Sequence, residues 1–138
     1  MVGKRMYANL APQKSIYEMN QINSTMNDFH QSKVWVSSRL LMMQIYRATE
    51  GFPDKDDSLF KNQTRNFSVL ITGNVIRGLQ ETNTSLRSRF LKDAESFVEK
   101  LTDNLEIAYK KGYVQKSMNR DLIKEISEIQ KSLKAIQH

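Results

Sequence analysis

The side chains with most chemistry to offer in this sequence are cations, and the chemistry they offer is contact with phosphate. Lys61, Arg65, Arg77, Arg87, Arg89 and Lys92 lie in the middle of the chain, and Lys110, Lys111, Lys116, Arg120, Lys124, Lys131 and Lys134 follow toward its end. They form the candidate nucleic-acid-binding set, because ammonium and guanidinium groups that neutralise phosphates release condensed counterions and bind without reading sequence. Arg87 and Arg89 are the sharpest local pair, since they stand near the start of a helix whose free backbone N–H groups also favour anions. Trp35, Tyr46, Tyr109 and Tyr113 add rings on which bases stack. The competing reading is a set of lysines on solvated helix faces with aromatics at core edges, and the sequence leaves both open.

Catalytic and metal chemistry have less to hold. There is no cysteine, so a disulfide framework, a thiolate zinc site and a cysteine nucleophile are all excluded. Helical bundles hold two metals with inward Glu-x-x-His pairs, but neither His30 nor His138 has a glutamate three positions earlier. Asp93, Glu99, Asp103 and Glu106 fall at helical spacing, each with a lysine or arginine nearby, which reads as surface ion pairs of a few tenths of a kcal/mol each. No glycine-rich phosphate loop and no nucleophile elbow is present. The expectation is a protein that is not an enzyme and takes no cofactor.

The net charge of +6 and pI near 9.6 point to an anionic partner. The surplus is uneven: residues 33 to 58 balance at four positive and four negative, whereas residues 83 to 138 carry eleven positive against eight negative. Neither a secretory signal nor a run of 18 apolar residues is present, so a cytoplasmic protein with no membrane partner is expected.

The elements that must position the cations are helices, since two prolines and five glycines leave few places to break one. The strongest pattern runs through Leu86, Phe90, Ala94, Phe97, Leu101, Leu105 and Ala108, in steps of four and three that keep one stripe against a partner. It ends at Lys110-Lys111-Gly112, where lysines suit the negative end of the helix dipole and glycine supplies a left-handed stop. Before it, Ile22, Met26, Phe29, Val36, Leu40 and Met43 follow a seven-residue repeat with Lys33 at one seam position. That repeat carries the first helix back well before Trp35, or else leaves the N-terminal part frayed or ordered by a partner. Its surer part runs from about Ser32 to Glu50 and stops at Gly51-Phe52-Pro53. Asp54 to Ser58 reads as a charged, capping loop ahead of a second helix from Leu59 to Gln80, with Phe60, Phe67, Leu70, Ile71 and Val75 inward. Gly73 and Gly78 inside it predict close approach of a neighbouring helix. Asn83 or Thr84 caps the third helix, and Asn119 caps a fourth carrying Leu122, Ile126, Ile129, Leu133 and Ile136. The sum is an all-α, antiparallel up-down-up-down four-helix bundle over residues 31–138. Residues 1–30 form an N-terminal extension, partly flexible or extending helix one.

Several local stretches resemble one family. Gln63-Thr64-Arg65 stands where that family has Gln-x-Arg, and Asn74-Val75-Ile76-Arg77-Gly78 where it has Asn-Ile-Ala-Glu-Gly. Phe90-Leu91-Lys92-Asp93-Ala94, Leu105-Glu106-Ile107-Ala108 and Gly112-Tyr113 match its third helix and the turn that follows, and Phe52-Pro53 precedes helix two. The chain thus resembles the small bacterial four-helix-bundle proteins encoded in intervening sequences of large-subunit ribosomal RNA genes. It is more distantly similar to the accessory variability determinant of diversity-generating retroelements. Ile76 and Arg77 replace the family's alanine and glutamate, and Ser96-Phe97 its Gly-Ser, so the acidic motif is absent. The resemblance implies a bundle that assembles into a homo-oligomeric ring, a pentamer. In the retroelement branch it also implies a basic barrel that binds RNA or DNA and a reverse transcriptase as partner. The alternative is a structural protein-interaction bundle with no nucleic-acid role.

Overall fold

The computed structural model describes the backbone from Ile16 to Gln137 and the side chains from Phe29 to Ile136. The expected polar N-terminal stretch and the side chains of Ile22 and Met26 lie outside these residues. Four helices follow in order: α1 (Ile16–Thr49), α2 (Asp54–Gln80), α3 (Thr84–Lys110) and α4 (Lys116–Gln137). Each packs on its neighbours in sequence, and α1 closes the square against α4. Among the described residues there is no strand, and no helix is long and apolar enough to cross a membrane.

The core is built around α3, on which Leu91, Ala94, Val98, Leu101, Leu105 and Ala108 are at most 2% exposed. The first half of this ladder is turned slightly from the expected stripe. Leu91 and Val98 point fully inward, Phe90 and Phe97 pack half-buried at its edge, and Leu86 lies on the surface. α4 contributes the expected Leu122, Ile126, Ile129, Leu133 and Ile136, all buried. α2 gives Ile71 and Val75 to the core, with Phe60, Phe67 and Leu70 half-buried.

α1 departs most from its sequence pattern. The residues it buries are Val34, Leu41, Ile45 and Ala48, whereas Val36, Leu40 and Met43 of the expected seam stand exposed on the opposite side. Where α1 meets α2 the contact includes small polar residues, Ser38, Thr49, Ser68 and Thr72, all buried. Their hydroxyls are satisfied locally: Thr49 donates to the Ile45 carbonyl at 2.7 Å, Ser68 to that of Arg65 at 2.7 Å, and Thr72 to those of Ser68 and Ser38 at 3.2 Å. Hydrogen-bonded in this way, they let two backbones approach without an unsatisfied polar group.

The corners differ in detail from what the sequence suggested. α2 begins at Asp54 rather than Leu59, with Pro53 before it, and Asp57 breaks the helix at φ −140°, ψ 36°. The break frees the Asp57 carboxylate from capping duty; instead it accepts from the Tyr113 hydroxyl at 2.5 Å and the Lys111 ammonium at 3.0 Å, tying α2 to the α3–α4 corner. Phe52, Phe60 and Tyr113 gather above this tie with ring centroids 5.2 to 6.4 Å apart. At the next corner Asn83 caps α3 as expected, accepting from the Leu86 amide at 2.9 Å. Gly112 ends α3 at φ 80°, the left-handed conformation that favours glycine. α4 starts at Lys116, so Asn119 lies in its first turn rather than at its cap.

The two helical glycines of α2 have different surroundings. A Cβ on Gly78 would come within 2.6 Å of Leu91 Cδ2 and 2.8 Å of its Cγ, so this glycine does admit α3. A Cβ on Gly73 would meet no atom within 4 Å, so internal packing does not require it. Leu91 is 1% exposed and has nowhere to retreat. Gly78→Ala should therefore lower unfolding free energy by about 1–2 kcal/mol, overpacking outweighing the better helix propensity of alanine. Urea denaturation followed by circular dichroism checks this; a stabilised variant would mean that the corner relaxes freely.

Candidate nucleic-acid interface

The structure divides the thirteen candidate cations by what their side chains already hold. Arg65 sits at the C-terminal end of α1: its Nε donates to Thr49 Oγ1 at 2.6 Å, an Nη donates to the Tyr46 carbonyl at 3.2 Å, and its guanidinium lies 4.7 Å from the Tyr46 ring centroid. Arg87 does the same for α2, donating to the Gly78 carbonyl at 3.0 Å. Each guanidinium adds a second donor to a carbonyl of a helix's last turn, Tyr46 also accepting from the Thr49 hydroxyl and Gly78 from the Glu81 amide, and both bring positive charge to the negative end of the dipole. The expected pair is thereby split, since Arg87 turns back to α2 while Arg89 stays exposed.

Lysines at the loop end are also engaged. Lys61, its side chain only 12% exposed, bonds Asp54 at 2.7 Å, and Lys111 bonds Asp57 while lying 5.3 Å from the Phe60 ring. Lys110 pairs with Glu106 at 3.1 Å in full solvent, a contact that water and salt screen. The pairings move the ionisations in the expected directions. The hydrogen bond from Tyr113, then that from Lys111, holds the Asp57 carboxyl below its ordinary value, and the same contacts raise Lys111 and Tyr113 above theirs. The bond from Lys61 lowers Asp54.

What remains is Arg77, Arg89, Lys92, Lys116, Arg120, Lys124, Lys131 and Lys134, exposed and with no ion pair among the described residues. Five of them share α4. Lys116, Arg120, Lys124, Lys131 and Lys134, with Ser127 between, follow in steps of four, four, three, four and three. That alternation sets all five opposite Leu122, Ile126, Ile129 and Leu133, so the outward face of α4 is a row of positive charge on the order of 27 Å long. The carboxylate of α4 turned toward α1, Glu128, is taken by Lys33 at 2.9 Å, whose hydrogen bond holds it below its ordinary value. Among the described residues of α4 the exposed large apolar side chain is Ile123, so this face presents charge and no aromatic ring. Of the four aromatics considered for stacking, Tyr113 is packed into the loop-end cluster, Trp35 and Tyr46 already carry guanidinium groups, and Tyr109 is exposed on α3 rather than on α4.

Two features lay beyond what the sequence signalled. A guanidinium that caps a preceding helix reads like any other arginine, and only its position within a few residues of a helix end hints at the role. Exposed Arg39 and Arg47 on α1 were outside the candidate set. Among the described residues no group of three or more histidines, aspartates and glutamates is placed to hold a metal ion.

A family model described as 23S rRNA-intervening sequence protein matches residues 30–135. No curated protein matches the chain.

The Asp57 tie has a defined pH dependence. Its carboxyl ionises at lower pH in the folded chain than the ordinary 3.8, so its contribution is complete above that value and is lost as pH falls through the folded value. Asp57→Asn should melt below the parent chain at pH 7, with the gap closing below about pH 4. Thermal melts of both proteins across that range check the prediction; a gap that persists in acid would assign the effect to something other than ionisation.

Proposed function

Because the chain belongs to the 23S rRNA-intervening sequence protein family, we propose that it is a non-enzymatic, self-associating helical bundle that binds RNA along the outward face of α4. The observation that carries this reading is the row from Lys116 to Lys134, five cations on one helix face with no ion pair among the described residues. Cations already held by carboxylates or carbonyls cannot release counterions from a polyanion at full value; unpaired ones on a straight face can. The family description names 23S ribosomal RNA, which makes RNA rather than DNA the first polyanion to test. Contact through phosphates alone gives affinity without sequence selectivity, the mode suited to an accessory factor whose partner supplies the specificity. A reverse transcriptase is the partner enzyme that the likeness to the retroelement proteins implies.

The second reading, a protein-interaction bundle with no nucleic-acid role, draws on the apolar row exposed on α1. Nuclease-resistant recovery of a protein partner, together with no RNA affinity at low salt, would favour it.

Titration of labelled RNA between 50 and 300 mM salt should give a log–log slope of about −3 to −4 from five contacts. Lys124→Glu with Lys131→Glu should weaken binding at least about tenfold and flatten the slope by more than about 1, whereas Lys61→Gln should leave both unchanged. Absence of binding at low salt overturns the proposal.

A further inference from the structure

α1 bears a second apolar row that none of the described residues covers. Phe29, Val36, Leu40 and Met43 follow at steps of seven, four and three and are 61%, 47%, 44% and 58% exposed. Trp35 and Tyr46 flank them. Together these six side chains present on the order of 600 Å² to solvent, at the upper end of the patches monomers tolerate and near the share of one partner in a standard interface. A groove of about 520 Å³ beside the row, lined by Met42, Met43, Tyr46, Arg47 and Glu50, has room for a large side chain.

The charges around the bundle decide what fits there. On α3, Lys92, Asp93, Glu99, Lys100 and Asp103 face outward, and the outward face of α4 is the cation row, so packing an apolar row on either would bury unpaired charge. Packing α1 on α1 of another copy would bring Arg39 and Arg47 of both chains to one seam. α2 alone has an outward row without charge: Asn62, Asn66, Val69, Gly73 and Ile76, in steps of four, three, four and three. At its centre Gly73 leaves a flat place that internal packing does not require, although glycine inside a helix is destabilising.

Resting on the self-association proposed above, we infer that the exposed row of α1 in one copy packs on the uncharged, Gly73-centred row of α2 in the next. Two different faces meet, so the contact is head to tail and its repetition closes a ring if the rotation allows.

The cysteine-free chain makes the contact testable by placing one thiol at a time. Leu40→Cys and Gly73→Cys proteins, mixed, exchanged by unfolding and refolding, and treated with a short bis-maleimide, should give covalent dimers on a denaturing gel. Each alone should give none; the two are mixed rather than combined because a link within one copy would compete. Dimers from Leu40→Cys alone would overturn the inference in favour of α1 on α1. Failure of the mixture to cross-link, with native mass still a multiple of 16.1 kDa, would overturn this pairing and leave self-association standing. A native mass of 16.1 kDa at micromolar concentration would remove both. Gly73→Glu should keep the helical circular dichroism and reduce the native mass toward that of one chain; an unchanged assembly would also overturn the pairing.

Discussion

Six side chains of α3, from Leu91 to Ala108, are withdrawn from water almost completely, and no single partner helix can do that. A helix stripe this well buried needs cover on both flanks and across the centre, which α2, α4 and the inward residues of α1 supply together. Each fully buried leucine or valine on the ladder is worth roughly 1.5–3 kcal/mol in transfer free energy, so displacing any of the other helices would expose several such groups at once. The loop ties, the capping arginines and the outward rows are arrangements that this burial leaves room for.

Helix ends impose the second requirement. α1 and α2 stop at corners where a last-turn carbonyl accepts both from its own corner and from a guanidinium of the following helix, Tyr46 from Thr49 and Arg65, Gly78 from Glu81 and Arg87. This draws Arg65 and Arg87 out of the surface charge; the continuous row of free cations is on α4, and the other exposed cations are spread over α1, α2 and α3. The same sequence composition thus yields structural cations at one end of each corner and free cations along one helix face.

The fold was legible in the sequence because spacing and stop signals agreed: the fourth helix buries the residues its four-three pattern names, Asn83 caps, and Gly112 takes positive φ. The first helix was not, because periodicity finds an apolar row without saying which way it faces. α1 carries two such rows, and the more regular one points outward. Its inward neighbours toward α2 are serines and threonines, which look like surface residues until their hydroxyls are seen bonded to helix carbonyls. Gly73 and Gly78 looked alike for a similar reason, since only Leu91 distinguishes them. Of the candidate cations, residue type said nothing about which were engaged. Only the regular spacing on α4, read against the buried side of that helix, separates a continuous face from scattered charge.

The corner between α2 and α3 has one further property. Its glycine, its cap and its guanidinium bond all lie between Gly78 and Leu91, so every group that shapes it comes from one short stretch of chain. Closing so small a loop removes little chain entropy, and the contacts it rewards are local in sequence. The α2–α3 hairpin is therefore shaped by contacts local in sequence, whereas the contact of α1 with α4 joins opposite ends of the fold.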